Sequence, residues 1–204
     1  MIKLYDFPLS GHSHRVRLML SLLDIDYKLV HVKLDEAEHL GSEYTALNPF
    51  QQVPVLDDDG FIVRDSVAII SYLARKYAPE WYPQDAESVA RIQEWLAIAT
   101  KEIATGPAAA RLVNVFNADI DQDRAIEQSH ALFNIMNKHL SDRQWLALEQ
   151  INIADVAAYS YIAHAPEGDV SLMEYPHIRN WLQRIEALDN FVPMDKTSVG
   201  LVSA

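Results

Sequence analysis

Two short runs, Gln52-Val53-Pro54 and Asp65-Ser66, carry groups suited to gripping an anionic, peptide-like molecule. Val53-Pro54-Val55-Leu56 reads as a strand, and a proline inside a strand cannot donate to a ladder. Backbone groups of Val53 are thereby left to pair with a ligand. After the acidic turn Asp57-Asp58-Asp59-Gly60 and a short apolar strand, Asp65-Ser66 opens a helix. The first N–H groups of a helix have no partner within it and favour a carboxylate. An edge-strand proline and an ordinary cap would use the same residues, so these runs take their meaning from what surrounds them. His12 and His14 stand close behind Ser10. Residues two apart diverge on a helix, so this pair does not suit a metal there. The chain has no cysteine, which excludes disulfides, thiolate metal sites and any mechanism that uses a protein thiol.

Positioning these residues takes two kinds of architecture. Residues 1–78 alternate in type. A strand is expected at Ile2–Tyr5, then a helix carrying Val16, Met19, Leu20 and Leu23 at helical spacing, then a strand over Tyr27–Leu34. A short helix near Leu40–Leu47, strands at Val53–Leu56 and Phe61–Val63, and a helix with Ile70, Leu73, Ala74 and Tyr77 complete the order βαβαββα. That order suits a mixed sheet with helices packed on it. Residues 79–84 form a proline-bounded linker, and from Asp85 to residue 204 the pattern is helical throughout. The fold class expected is therefore α/β followed by an all-α domain. Gly106-Pro107 should kink or break the first long helix of that second domain. Asn152 and Asp155 fit a capping box, a device of local folding.

At 204 residues the chain can bury a good core, and its apolar runs fall short of the roughly 20 residues a membrane span needs. The start Met1-Ile2-Lys3-Leu4 passes directly into a strand pattern, so no signal peptide is expected. A net charge of −12 disfavours nucleic acid and anionic membrane surfaces. An anionic ligand must then be drawn in by local groups. A cytoplasmic protein is the expectation.

With Lys3-Leu4-Tyr5-Asp6-Phe7-Pro8-Leu9-Ser10 leading from a strand through a proline turn into a helix, the chain resembles the cytosolic glutathione transferases. Ser10 falls where the phi, theta and zeta classes carry a catalytic serine. Asn48-Pro49-Phe50-Gln51-Gln52-Val53-Pro54 matches the run before the family's cis-proline, Asp65-Ser66 its acidic-serine pair, and His39 a phi-class histidine. The co-occurrence of these motifs in order, over nearly the whole chain, is what makes the resemblance specific. It implies a thioredoxin-like first domain, glutathione as co-substrate without a metal, and a two-fold homodimer. Trp81, Tyr82 and Trp95 lie near the domain junction where the two copies would meet.

The resemblance also implies roles. A thiol of ordinary pKa near 8.5 is only about 3% ionised at pH 7, and the thiolate is the nucleophile. Ser10 would donate to the sulfur at a helix N-terminus, with the thiolate attacking a hydrophobic electrophile. No Gly-x-Ser-x-Gly elbow surrounds Ser10, and the thiol substrate supplies the nucleophile itself. Asp65 and Ser66 would hold the γ-glutamyl end, Val53 with Pro54 the cysteinyl backbone, and His39 with Gln52 the glycyl carboxylate. Arg15 and Lys33 are further cations near by. Leu9, His12, Ile103, Pro107, Arg111 and Phe116 are the candidates for the second-substrate pocket, with no extra helix expected over it. A peroxidase or disulfide reductase on the same site, or a non-catalytic binding protein of this fold, are the alternatives. The zeta-class run Ser-Ser-Cys reads Ser10-Gly11-His12 here, which weighs against an isomerase.

Overall fold

The computed structural model describes residues 1–202. The chain runs through β1 (Ile2–Asp6), α1 (Gly11–Leu22), β2 (Tyr27–His31), a 3-10 turn at Glu38–Leu40, α2 (Ser42–Leu47), β3 (Val55–Asp58), β4 (Phe61–Arg64) and α3 (Ser66–Tyr77). The four strands make one sheet in the order β2-β1-β3-β4. β1 is parallel to β2 and antiparallel to β3, and β3 is antiparallel to β4. Side chains alternate across a strand, so Leu4 and Leu56 share one face while Tyr5 and Val55 share the other. On the first face, Leu4 and Leu56 are buried with Val16, Met19 and Leu20 of α1 and Ile69, Ile70 and Leu73 of α3. On the second, Tyr44 of α2 closes over Val32 and Val55.

From Pro79 on there is no further strand among the described residues; α4 (Ala86–Thr100), α5 (Ala109–Phe116), α6 (Gln122–His139), α7 (Ile153–Ala163) and α8 (Pro176–Glu186) follow. Residues Ile153 to Ile162 of α7 are all buried, which suits a helix that is apolar all round. It packs between α1 and α4, so it joins the sheet-bearing half to the helical half. The capping box forms: the Asn152 side chain accepts from the Ala154 N–H at 3.0 Å, and Asp155 accepts from the Asn152 N–H at 3.2 Å. Gly106 breaks the helix as expected, with φ −96° and ψ −105° inside a π-helical turn at Ala104–Ala108. Among the described residues no helix is long and apolar enough to cross a membrane.

Several expectations need correction. β3 begins at Val55, so Pro54 precedes the strand instead of interrupting it. β2 ends at His31, although the Val32 N–H still reaches the Asp6 carbonyl at 2.8 Å. The helical half is not helical throughout, because residues 141–152 form an irregular segment. Its backbone is satisfied by neighbouring side chains: Asp155 accepts from the Leu146 N–H, His139 meets the Leu146 carbonyl, and Arg184 donates to the Gln144 carbonyl. Tyr82 and Trp95 are buried in the chain's own core, with Trp81 packed against it, so these aromatics are accounted for without a partner.

Candidate active site

The loop before α1 is held from two sides. Arg17 donates to the buried Asp6 carboxylate at 2.7 Å and to the Pro8 carbonyl at 2.9 Å. Burial raises the Asp6 pKa, although Arg17 opposes it. From the helical half, Arg111 donates to the Leu9 carbonyl at 3.0 Å. Arg111 is itself fixed by a buried ion pair with Glu167. The two arginines thus fix consecutive carbonyls immediately before Ser10. Ser10 then caps α1: its Oγ accepts from the Ser13 N–H at 3.2 Å. That bond uses an acceptor lone pair only, so the hydroxyl proton remains available to another group. Capping and donation are therefore compatible in this serine.

Pro54 marks the second wall. The Val53–Pro54 bond is cis, as the resemblance implied. The Gln52 carbonyl accepts from the Tyr44 hydroxyl at 2.8 Å and from the Asn48 side chain at 2.7 Å, which fixes the approach to that bond. Asp65 caps α3, accepting from the Val67 and Ala68 N–H groups at 2.8 and 3.0 Å. Its backbone has φ +69°, a region that costs a non-glycine residue on the order of 1–3 kcal/mol. Asn48, Gln52, Val53, Pro54, Arg64, Asp65, Ser66 and His12 line a cleft of about 370 Å³. Arg64 is anchored through its Nε to the Leu47 carbonyl at 2.8 Å, which leaves its terminal amino groups to the cleft.

Beside the cleft lies a more apolar cavity of about 540 Å³, lined by Phe7, Leu9, Ser10, His12, Leu34, Ala108, Arg111, Leu112, Phe116 and Tyr161 among others. His12 belongs to both linings. Its ring stands edge-on to Tyr161, with centroids 5.1 Å apart. Burial, with Arg15 beside it, pulls the His12 pKa down to about 4, so the ring is neutral at pH 7. Arg15 is fully buried behind this junction. One amino group donates to the Ser66 hydroxyl at 2.7 Å and faces His12 Nδ1 at 3.3 Å. Among the described residues its Nε and other amino group are buried without a hydrogen-bond partner. Gly11 lets α1 approach α7, because a Cβ there would lie 2.7 Å from the Tyr161 ring.

The residues singled out from the sequence divide clearly. Gln52, Val53, Pro54, Asp65 and Ser66 share the cleft, while Leu9, Ser10, Arg111 and Phe116 share the apolar cavity. Ile103 and Pro107 do not line it; both are buried, Ile103 completely and in line with the core face of α4 that carries Ile92, Leu96 and Ala99, and Pro107 just past the break at Gly106. His39 is half-buried on the Glu38–Leu40 turn, outside both linings. The chain bends just before that turn, with Ala37 at φ +57° and the Lys33 N–H donating to Glu38. Lys33 pairs with Glu36 at the surface. Arg64 and Tyr161 escaped the sequence reading, since a strand-end arginine and a core tyrosine carry no distinguishing spacing. His14 diverges from His12 as helical geometry requires, bonding to Ser160 Oγ and the Val192 carbonyl at 2.8 and 2.9 Å. Among the described residues, no group of three or more His, Cys, Asp or Glu side chains could hold a metal ion.

The chain that builds this cleft is similar to proteins of known family along most of its length. The profile for the glutathione S-transferase N-terminal domain matches residues 4–81, and that for the C-terminal domain residues 100–189. Glutathione S-transferase theta-1 of Bos taurus is 33% identical over 175 residues, covering 80% of this chain and 73% of that protein. The chain belongs to the glutathione S-transferase family. Glutathione S-transferase 3 of Zea mays is 29% identical over 203 residues, covering 93% of this chain and 91% of its own. Among solved structures, a possible glutathione S-transferase from Rhodopseudomonas palustris superposes with a TM-score of 0.87 at 29% identity, covering 96% of this chain and 98% of that one. A glutathione S-transferase from Pseudomonas fluorescens does so with a TM-score of 0.87 at 27% identity, over 96% and 99%. The thioredoxin-like half followed by an all-helical half is the architecture of this family, and the chain is a glutathione transferase.

Proposed function

We propose that this transferase binds glutathione in the cleft, lowers its thiol pKa with Ser10, and joins the thiolate to a hydrophobic electrophile held in the apolar cavity. The observation that carries the reading is the state of Ser10. Its oxygen accepts from the Ser13 N–H, a bond that does not use its proton, and it lines the cavity at the start of a helix. A hydroxyl proton and a helix N-terminus both favour a thiolate over a thiol. Asp65 and Ser66 would take the γ-glutamyl end, Val53 the cysteinyl backbone, and Gln52 with Arg64 the glycyl carboxylate. Arg64 and the buried Arg15 supply local positive charge in a chain of net charge −12. With an aryl halide, the sulfur forms a bond to the ring carbon, the carbon–halogen bond breaks, and halide departs with the electron pair. The thiol proton has by then gone to solvent.

The division into a glutathione-binding unit at 1–78, a linker at 79–84 and a helical unit at 85–204 belongs to the same proposal. So do a cytoplasmic setting and a homodimer, for which light scattering should give twice the chain mass of 23.1 kDa. The decisive experiment is calorimetric titration with glutathione, followed by a panel of aryl halide, isothiocyanate, hydroperoxide and mixed-disulfide substrates. Binding with turnover of the first two supports conjugation. Turnover confined to hydroperoxide or disulfide, or no glutathione binding, contradicts it.

A further inference from the structure

His12 is the one residue that the cleft and the apolar cavity share, so a thiol reaching from one into the other passes its ring. What that ring offers is decided by Arg15. A guanidinium only donates, and one of its amino groups faces His12 Nδ1 at 3.3 Å while donating to Ser66 Oγ at 2.7 Å. Ser66 Oγ, lying 3.3 Å from the same Nδ1, accepts from Arg15 and can turn its own proton towards that nitrogen. Arg15 can meet Nδ1 only as a donor, and Ser66 can join it as a second. In a neutral imidazole one nitrogen accepts and the other carries the hydrogen, so the hydrogen sits on Nε2.

Among the described residues Nε2 has no hydrogen-bond partner, and unlike the remaining Arg15 nitrogens it is not fully enclosed by protein. We infer that His12, held by Arg15 as the Nε2–H tautomer, is a second hydrogen-bond donor to the glutathione thiolate and a catalytic residue beside Ser10. Arg15 is then a positioning residue, acting through His12 and Ser66. The inference rests on the functional reading above. No proton is transferred in this role; the N–H donates to sulfur before the attack and is released as the sulfur loses its charge.

The test uses two amides that imitate different halves of the ring. His12→Gln keeps an N–H near the Nε2 position, whereas His12→Asn can place its amide oxygen near Nδ1 but has no N–H that reaches as far as Nε2. The probe is glutathione itself, with the absorbance of the bound thiolate titrated against pH, and an aryl halide for turnover. His12→Asn should raise the midpoint by about one pH unit and lower kcat/KM about tenfold near pH 7. Glutathione Kd should change less than about threefold, and His12→Gln should stay within about threefold of the parent protein in all three readouts. An unmoved midpoint in His12→Asn, or equal damage in both variants, overturns the inference while leaving the Ser10 reading standing. A parent protein that does not lower the thiol midpoint overturns that reading as well. The ¹⁵N spectrum of His12 in the ligand-free protein is an independent check that needs no turnover. It should show a protonated Nε2 and a bare Nδ1, and the reverse pattern overturns the inference.

Discussion

Glu167→Gln perturbs the group on which the serine-bearing loop ultimately leans. The Arg111 and Glu167 side chains are 1% and 2% exposed, and they are directly paired. One Glu167 oxygen faces Arg111, while the other accepts from the Thr197 N–H at 2.8 Å and meets His164 Nδ1 at 3.1 Å. Burial alone would raise the Glu167 pKa, but His164, the Thr197 N–H and Arg111 together hold it down at about 2. The substituted amide keeps the shape and one oxygen, yet it turns an N–H₂ or a neutral oxygen towards a buried guanidinium. Removing one partner of a buried pair costs about 3–5 kcal/mol, because the other charge is left uncompensated. For a chain of this length that corresponds to a fall in Tm of about 10 °C or more. Chemical denaturation should show a lower midpoint with an unchanged slope. Adding Arg111→Met to Glu167→Gln should recover at least about 1 kcal/mol, since no unpaired buried cation then remains. The double variant should still conjugate slowly, because the Leu9 carbonyl has lost its donor. A cost below about 1 kcal/mol for Glu167→Gln, or a double variant worse than the sum of the singles, would refute this account of the pair.

His14 sets an acid limit on stability. Burial above all depresses its pKa from 6.5 to about 3, so between those values the unfolded chain takes up a proton that the folded chain does not. Its contribution is complete above pH 6.5 and is lost on acidification at about 1.4 kcal/mol per pH unit. Asp155, raised by burial to about 6, opposes this below pH 6, and His12 adds to it. Stability measured from pH 6 to pH 4 should therefore fall less steeply in His14→Gln than in the parent, by about 1.4 kcal/mol per unit; equal slopes would count against it. Gly11→Ala should lower Tm despite alanine's better helix propensity, which is worth about 1 kcal/mol. The new Cβ would meet the buried Tyr161 ring at 2.7 Å, and such overpacking costs roughly 1–3 kcal/mol. A raised Tm in that variant would show that the ring yields.

The first half of the fold was legible because its signals are local. Alternating and helical spacings placed Leu4, Val16, Met19, Ile70 and Leu73, and all are buried. The pairs Val53-Pro54 and Asp65-Ser66 were legible as backbone chemistry, and they do face one cleft. The irregular segment at 141–152 was not, because its order comes from Asp155, His139 and Arg184, residues remote in sequence or assigned to other tasks. Ile103 and Pro107 were misplaced for a related reason. Ile103 falls on the same helical face as Ile92, Leu96 and Ala99 and goes with them into the core, while the direction in which the chain leaves the break at Gly106, and so the place of Pro107, depends on packing against α6. Arg15 lay within reach as a charge on the buried stripe of α1, next to Val16 and Leu18. Its partners, His12 on its own helix and Ser66 on α3, appear only when those helices meet.

The central claim is that Ser10 stabilises the glutathione thiolate, and the pH titration of bound thiolate absorbance in the parent protein and in Ser10→Ala tests it most directly. A pKa lowered by about two units from 8.5 represents roughly 2.7 kcal/mol of differential stabilisation, of which a charge-assisted hydrogen bond supplies about 1.5–3 kcal/mol. The account predicts a midpoint in Ser10→Ala at least about one unit above the parent, conjugation slower by about 10- to 100-fold at pH 7, and glutathione affinity little changed. A midpoint that stays in place, with turnover near that of the parent, would contradict it and leave Ser10 as a helix cap alone.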